Sequence, residues 1–157
     1  YYGSMSRTAW LDRGIRTYPQ ATGTLTYPYL YNHELGTDAD GTAITSYVES
    51  SPFDLGEGEH FGFIDKVIPD LTFDGSTVDS PVVDFTMKAR NFPGSSYDVS
   101  DSGTATRTST TPVEQFTNQI FVRVRGRSMA LKVSSDTAGV QWRLGTPRVN
   151  VKPDGRR

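Results

Sequence analysis

The sequence contains no cysteine, and this absence excludes two classes of small protein. A disulfide-stabilised secreted domain and a metal site built on thiolates both require cysteine. Long apolar runs are absent as well, because no stretch approaches the roughly 18 residues that a membrane-spanning helix needs. We therefore expect a globular chain without a membrane span whose stability comes from an apolar core.

Groups that could carry catalysis are scarce. The two histidines, His33 and His60, show no metal-ligand spacing. The carboxylates of "DLGEGEH", residues 54–60, indicate an exposed connection more than the paired acids of a glycosidase. The turn "DADG", residues 38–41, resembles half of a calcium loop but lacks the further ligands and the distal glutamate. We predict that the chain is not an enzyme and needs no metal or other cofactor.

The charge is unevenly distributed along the chain. Residues 1–122 carry seven Lys and Arg against sixteen Asp and Glu, a net charge of −9. Residues 123–157 carry nine Lys and Arg against two Asp, a net charge of +7. Such a division is typical of a chain with a charged partner, although pairing of the two parts within the fold explains it equally well.

Alternation of apolar and polar residues with period two dominates the chain and predicts an all-β protein. Frequent turns between short strands favour an antiparallel β-sandwich over residues 44–157, preceded by a partial β unit over residues 1–43. A single segment, residues 111–120, has helix-like spacing of its apolar residues, but it is equally compatible with the approach to the next strand.

The clearest strands lie at the end of the chain. Segments of alternating residues between 120 and 153 predict a three-stranded antiparallel meander with one apolar face and one basic face. Gly126 interrupts the alternation, as a bulge or a glycine of close approach does. The residues predicted to be buried in this meander are Val122, Val124, Met129, Leu131, Val140, Trp142, Leu144, Val149 and Val151.

The basic face of that meander is the candidate binding surface. A nucleic acid is one possible partner, since single-strand binders combine cationic grooves with aromatic residues. Trp142 shares the apolar face, however, and guanidinium groups pair equally well with carboxylates of a protein. We therefore predict a subunit interface. Its predicted residues are Arg123, Arg125, Lys132, Arg143 and Arg148.

The C-terminal run "RVRGRSMALKVSSDTAGVQWRLGTPRVNVKPDGRR" resembles the C-terminus of the tail tubular, nozzle or packaged-DNA stabilisation proteins of short-tailed bacteriophages. "SRTAWLDRGI", "LYNHELGTDADG", "YVESSPFDLGEG" and "VIPDLTF" also occur in the order expected of that family. The resemblance spans nearly the whole chain, but none of its motifs carries a chemical mechanism.

This resemblance implies a structural virion protein of the phage tail, built around a β-propeller and arranged as a six-fold ring below the portal and adaptor proteins. The tube conducts and retains packaged DNA without specific recognition. Residues 1–43 would then end a propeller-like region, and residues 44–157 would form the closing β-sandwich. A chain of this length lacks most of such a propeller, so we expect a fragment, a cleavage product or a split subunit.

One further interpretation belongs to a different class of function. The aromatic strand "YPYLY" places Tyr27, Tyr29 and Tyr31 on one face, where exposed tyrosines could stack on sugars. The alternative function is therefore a carbohydrate-binding or receptor-recognition β-sandwich module.

Overall fold

A computed structural model of the chain describes residues 20–22, 30–32, 36–39, 41–92, 94–97 and 108–155. Regular secondary structure within these ranges consists of β-strands, with no helix. The chain divides into two compact units, Tyr1–Gly36 and Thr37–Arg157. The all-β class predicted from the alternation is confirmed.

The first unit contains one antiparallel pair within its described residues. Strand β1 (Gln20–Thr22) pairs with strand β2 (Leu30–Asn32), so that Gln20 lies opposite Asn32. The assignment of this part of the chain to a propeller-like region stays a prediction, and so does the boundary after residue 43.

The second unit contains the remaining strands, several of them only two residues long. They are β3 (Asp38–Ala39), β4 (Thr42–Ala43), β5 (Ser46–Glu49), β6 (Phe53–Asp54), β7 (Gly62–Ile68), β8 (Leu71–Thr72), β9 (Val82–Arg90), β10 (Thr108–Glu114), β11 (Ile120–Gly126), β12 (Ser128–Ser135), β13 (Arg143–Leu144) and β14 (Arg148–Pro153).

Two antiparallel sheets form the body of this unit. The larger one has the order β10-β9-β12-β5, and β6 also pairs with β12. The smaller one has the order β11-β7-β14, while β8 with β13 and β3 with β4 form separate two-stranded pairs. Segment 111–120 is thus the end of a strand, a turn and an approach to β11, and not a helix.

One apolar core receives side chains from both sheets, and the sandwich arrangement of these sheets stays a prediction. Every second residue of β9 points into it, and so does every second residue of β11 and β12. The core residues below one-tenth exposure include Ile64, Val67, Phe73, Val83, Phe85, Met87, Ala89, Val113, Ile120, Val122, Val124, Met129, Leu131, Val133 and Val140.

The predicted meander is wrong, because β11 and β12 lie in different sheets. The chain crosses between the sheets at Gly126 and Arg127, and the Arg127 amide donates to the carbonyl oxygen of Arg90 at 3.0 Å. A Cβ atom on Gly126 would lie 2.7 Å from the Cβ of Ala89. Gly126 is therefore a glycine of close approach, one of the two roles that its position predicts.

The predicted inward-facing residues are confirmed even though the meander is not. Val122, Val124, Met129, Leu131 and Val140 are buried, and the other four are half-buried against the same core. The side chain of Trp142 faces this core between two exposed neighbours, and its indole Nε1 donates to Ser46 Oγ at 2.9 Å. Alternation determines which face a residue takes, but not which strand lies beside it.

We predict that Gly126→Ala lowers the free energy of unfolding by about 1–3 kcal/mol, because the added methyl group overpacks the crossover. Urea unfolding followed by far-UV circular dichroism measures this change. The double variant Ala89→Gly/Gly126→Ala should recover part of the loss, since it removes the 2.7 Å contact but keeps the 3.0 Å approach to the Arg90 carbonyl oxygen. An unchanged unfolding midpoint for Gly126→Ala would contradict the crowded crossover.

Candidate protein-interaction face

The outer face of the three-stranded sheet is the candidate functional site. On β11 the even-numbered residues are buried, so the odd-numbered side chains point outward. The register brings Phe121 opposite Lys66 and Arg125 opposite Phe63. We call this surface the basic face, and its outward residues are Phe63, Asp65, Lys66, Ile68, Phe121, Arg123, Arg125, Arg148, Asn150 and Lys152.

The structure places three of the five predicted interface cations on this face and two elsewhere. Arg123 and Arg125 lie on β11, and Arg148 lies on β14. Lys132 lies on β12 of the larger sheet, and Arg143 lies on the separate strand β13. The expectation that these cations share one sheet face is therefore wrong, because the strands that carry them belong to three different sheets.

Arg125 is engaged within the chain. Its Nε donates to the carboxylate of Asp154, and its Nη2 donates to the Asp154 carbonyl oxygen at 3.0 Å. The guanidinium carbon also lies 4.1 Å from the centroid of the Phe61 ring, a cation–π distance. Arg125 therefore already has interaction partners within its own chain, and its role in an interface stays a prediction.

The remaining predicted cations differ in what surrounds them. The Lys132 ammonium lies 5.0 Å from the centroid of the Tyr47 ring. Arg123, Arg143 and Arg148 are exposed and form no ion pair among the described residues. Two of these three arginines, Arg123 and Arg148, lie on the basic face, where they are open to an external partner.

An ion pair on the basic face joins the acidic first part of the chain to its basic end. The Asp65 carboxylate accepts hydrogen bonds from the ammonium of Lys152 and, at 2.6 Å, from Nδ2 of Asn150. The pKa of Asp65 is lowered, and the hydrogen bond from Lys152 is the largest cause. Burial of the carboxyl group raises the pKa and so offsets part of this change. At this position the acidic and the basic part of the chain therefore form an ion pair within the fold.

Two further ion pairs among the described residues each lie within one part of the chain. Arg125 and Asp154 both belong to the basic end, and Lys88 and Glu49, at 2.9 Å, both belong to the acidic part. Among the described residues, Arg123 and Arg148 of the basic face form no ion pair, so these two cations are the ones considered for a partner.

A shallow open depression lies on the basic face beside β11. Its lining residues are Phe63, Asp65, Phe121, Val122 and Arg123. Phe121 is 72% exposed, although it is a large apolar side chain on the outward side of β11. Exposed aromatic and arginine side chains together are typical of the residues that dominate binding at protein interfaces.

The two phenylalanines of this depression were not among the residues predicted from the sequence. Phe121 nevertheless leaves a signal, since it occupies a polar position in the alternation of β11, in phase with Arg123 and Arg125. An apolar residue in phase with the charged ones marks an exposed apolar site. Phe63 leaves a similar signal, since it is in phase with Asp65 on the outward side of β7.

The candidates for metal binding and catalysis are distributed as follows. The described residues contain no group of three or more His, Asp or Glu that could hold a metal ion. Asp38 Oδ1 accepts a hydrogen bond from the Gly41 amide at 2.8 Å, within the β3–β4 turn. His60 is half-buried in the exposed connection predicted for residues 54–60, whereas His33 and Asp40 lie outside the described residues.

Comparisons of the chain with protein-family models, with curated proteins and with solved structures find no match. The described residues include no helix long and apolar enough to cross a membrane.

We predict that Lys152→Gln moves the pKa of Asp65 back toward its ordinary value, because it removes the hydrogen bond that lowers it. In the folded chain the lowered pKa means that ionised Asp65 contributes stability above its unfolded-state pKa. This contribution is lost as the pH falls through the lower pKa of the folded state. NMR titration of the carboxyl carbons measures the pKa, with Arg148→Gln on the same strand as a control. An unchanged pKa in Lys152→Gln would contradict the assignment.

We also predict that a chelator leaves the melting temperature of the chain unchanged, because no ion that binds the folded state would be removed. Thermal unfolding with and without EDTA makes the comparison. A clear fall that calcium reverses would instead indicate a site at the "DADG" turn.

Proposed function

We propose that the chain is a structural, non-enzymatic component of a bacteriophage tail. In this role it assembles with copies of itself into a ring, in the nozzle or tail tube, that conducts and retains packaged DNA. The sequence resemblance to short-tailed phage tail proteins supports the assignment, and the confirmed all-β class agrees with it. The ring size of six and the contacts with adaptor and portal proteins follow from the resemblance alone.

The observation that carries the proposal is the basic face. Phe121 is 72% exposed, and the exposed guanidinium groups of Arg123 and Arg148 form no ion pair among the described residues. An apolar side chain on the same sheet face as arginines gains most when a protein surface with carboxylates covers it, since burial and charge pairing then act together. Such a surface suits a subunit that works by assembling.

The chemistry of this face also favours recognition over catalysis. Arginine and lysine remain protonated near neutral pH, so they serve poorly as proton acceptors there. Phenyl rings supply contact area and no acid–base chemistry. The groups that face outward therefore suit binding, in line with a non-enzymatic subunit.

DNA is expected to pass through the assembly without binding to this face. A strand of nucleic acid presents one phosphate per nucleotide and prefers a continuous cationic groove. The basic face instead carries the carboxylate of Asp65 in its depression, and Arg125 is paired with Asp154. A protein partner can place its carboxylates at chosen positions and avoid Asp65.

The alternative, a carbohydrate-binding or receptor-recognition module, depends on Tyr27, Tyr29 and Tyr31. Tyr27 and Tyr29 lie outside the described residues, and Tyr31 is described only by its backbone in β2. A glycan array with the purified chain tests this function directly.

Immunoelectron microscopy of the source phage tests the proposal. Antibodies raised against the purified chain should label one end of the particle, at the tail, and pre-incubation of the antibodies with the chain should abolish the label. Mass spectrometry of purified particles should find the same sequence. Particles that contain no trace of the chain would contradict the proposal, and strong binding on the glycan array would then favour the alternative.

A further inference from the structure

We infer that the basic face binds the acidic connection, residues 54–59, of a second copy of this chain. The contact is heterologous, which means that two different surfaces meet. This inference rests on the proposed assembly role and names the two surfaces that would meet in it. The acidic connection begins at Asp54, the last residue of β6, and leads towards β7.

The charges on the basic face disfavour its binding to the same face of another copy. Arg123 and Arg148 are exposed without ion pairs among the described residues, and Lys66 lies half-buried between their strands. A symmetric face-to-face contact would bring these cations against the same cations of the partner. Like charges at an interface cost several kcal/mol, so the partner surface should be acidic.

The acidic connection is the densest acidic segment among the described residues. Asp54, Glu57 and Glu59 are all exposed and lie within six residues that contain no cation. The turn contains Gly56 and Gly58, which have positive φ angles of 62° and 80°. Residues other than glycine rarely adopt such angles, so the path of this turn depends on its two glycines.

Another acidic segment, residues 70–79, suits this role less well. The Asp70 carboxylate accepts a hydrogen bond from the Thr146 amide at 2.7 Å, and the Asp70 carbonyl oxygen accepts one from the Gly145 amide at 2.8 Å. Asp70 is thus used within the chain, and the two remaining carboxylates of that segment are widely spaced along it.

Within one copy, the acidic connection and Arg148 lie at opposite ends of β7. The acidic connection enters the sheet at Gly62, the first residue of β7, whereas Arg148 lies opposite Ile68, the last residue of that strand. These ends are about 20 Å apart at the ordinary rise of a strand. A contact between opposite ends of two copies is head-to-tail, and such contacts repeat into rings or open chains.

Sedimentation velocity of the purified full chain over a range of concentrations tests the inference. The wild-type chain should self-associate. The face variant Arg123→Glu/Arg148→Glu and the connection variant Asp54→Lys/Glu57→Lys should each need at least about a tenfold higher concentration to do so, equivalent to about 1.4 kcal/mol. An equimolar mixture of the two variants should associate again, because each supplies charges opposite to those of the other.

The matched control is Lys132→Glu/Arg143→Glu, which makes the same charge change away from the basic face and should associate like the wild type. Circular dichroism and urea unfolding establish that each variant is folded. Where the connection variant does not fold, the single variant Glu57→Lys replaces it, because Glu57 is exposed and contributes only its carboxylate to the turn.

Several results would overturn the inference. A connection variant that associates like the wild type would show that residues 54–59 are not the partner surface. A wild-type chain that stays monomeric at all concentrations would show that the occupant is not a second copy. Loss of binding to a fluorescent single-stranded oligonucleotide in the face variant, with unchanged association, would assign the face to nucleic acid. In each case the proposed function would still be supported if the antibodies label the phage tail, because that experiment does not depend on which surfaces meet.

Discussion

The close passage of the chain at Gly126 is the constraint on which the rest of the second unit depends. At this residue β11 leaves the three-stranded sheet, and two residues later β12 begins in the five-stranded sheet. The backbone lies so near Ala89 and Arg90 that a methyl group on Gly126 would overlap both. A larger residue would separate the sheets where the hydrogen bond from Arg127 to Arg90 joins them.

This crossover decides where the charges of the basic end go. Arg123, before the crossing, points outward from the smaller sheet, while Lys132, after it, points outward from the larger sheet beside Tyr47. Cations that are neighbours in sequence are thus divided between two surfaces. Among the described residues, only the smaller sheet combines arginines that form no ion pair there with an exposed aromatic residue, Phe121, and this combination makes its outer face the candidate for assembly.

The sequence predicted the all-β class and the inward-facing residues, because burial on one side of a strand imposes a period of two. It also predicted a special role for Gly126. Strand neighbours were not predictable in the same way: alternation in β11 and β12 is the same whether the strands pair or lie in opposite sheets. The pairing of Arg125 with Asp154 depends on the partner strands, so the sequence alone could not separate engaged cations from open ones.

The most direct test of the assembly face is fluorine NMR of the chain labelled with 4-fluorophenylalanine, recorded in dilute and in associated samples. Phe121 is assigned from the Phe121→Leu variant, and Phe116, 87% exposed in the turn after β10, serves as the internal reference. On association, the Phe121 resonance should shift and lose its sensitivity to solvent. The Phe116 resonance should keep its chemical shift and its sensitivity to solvent. If Phe121 remains as open to solvent in the assembly as in the monomer, the face is not where copies meet.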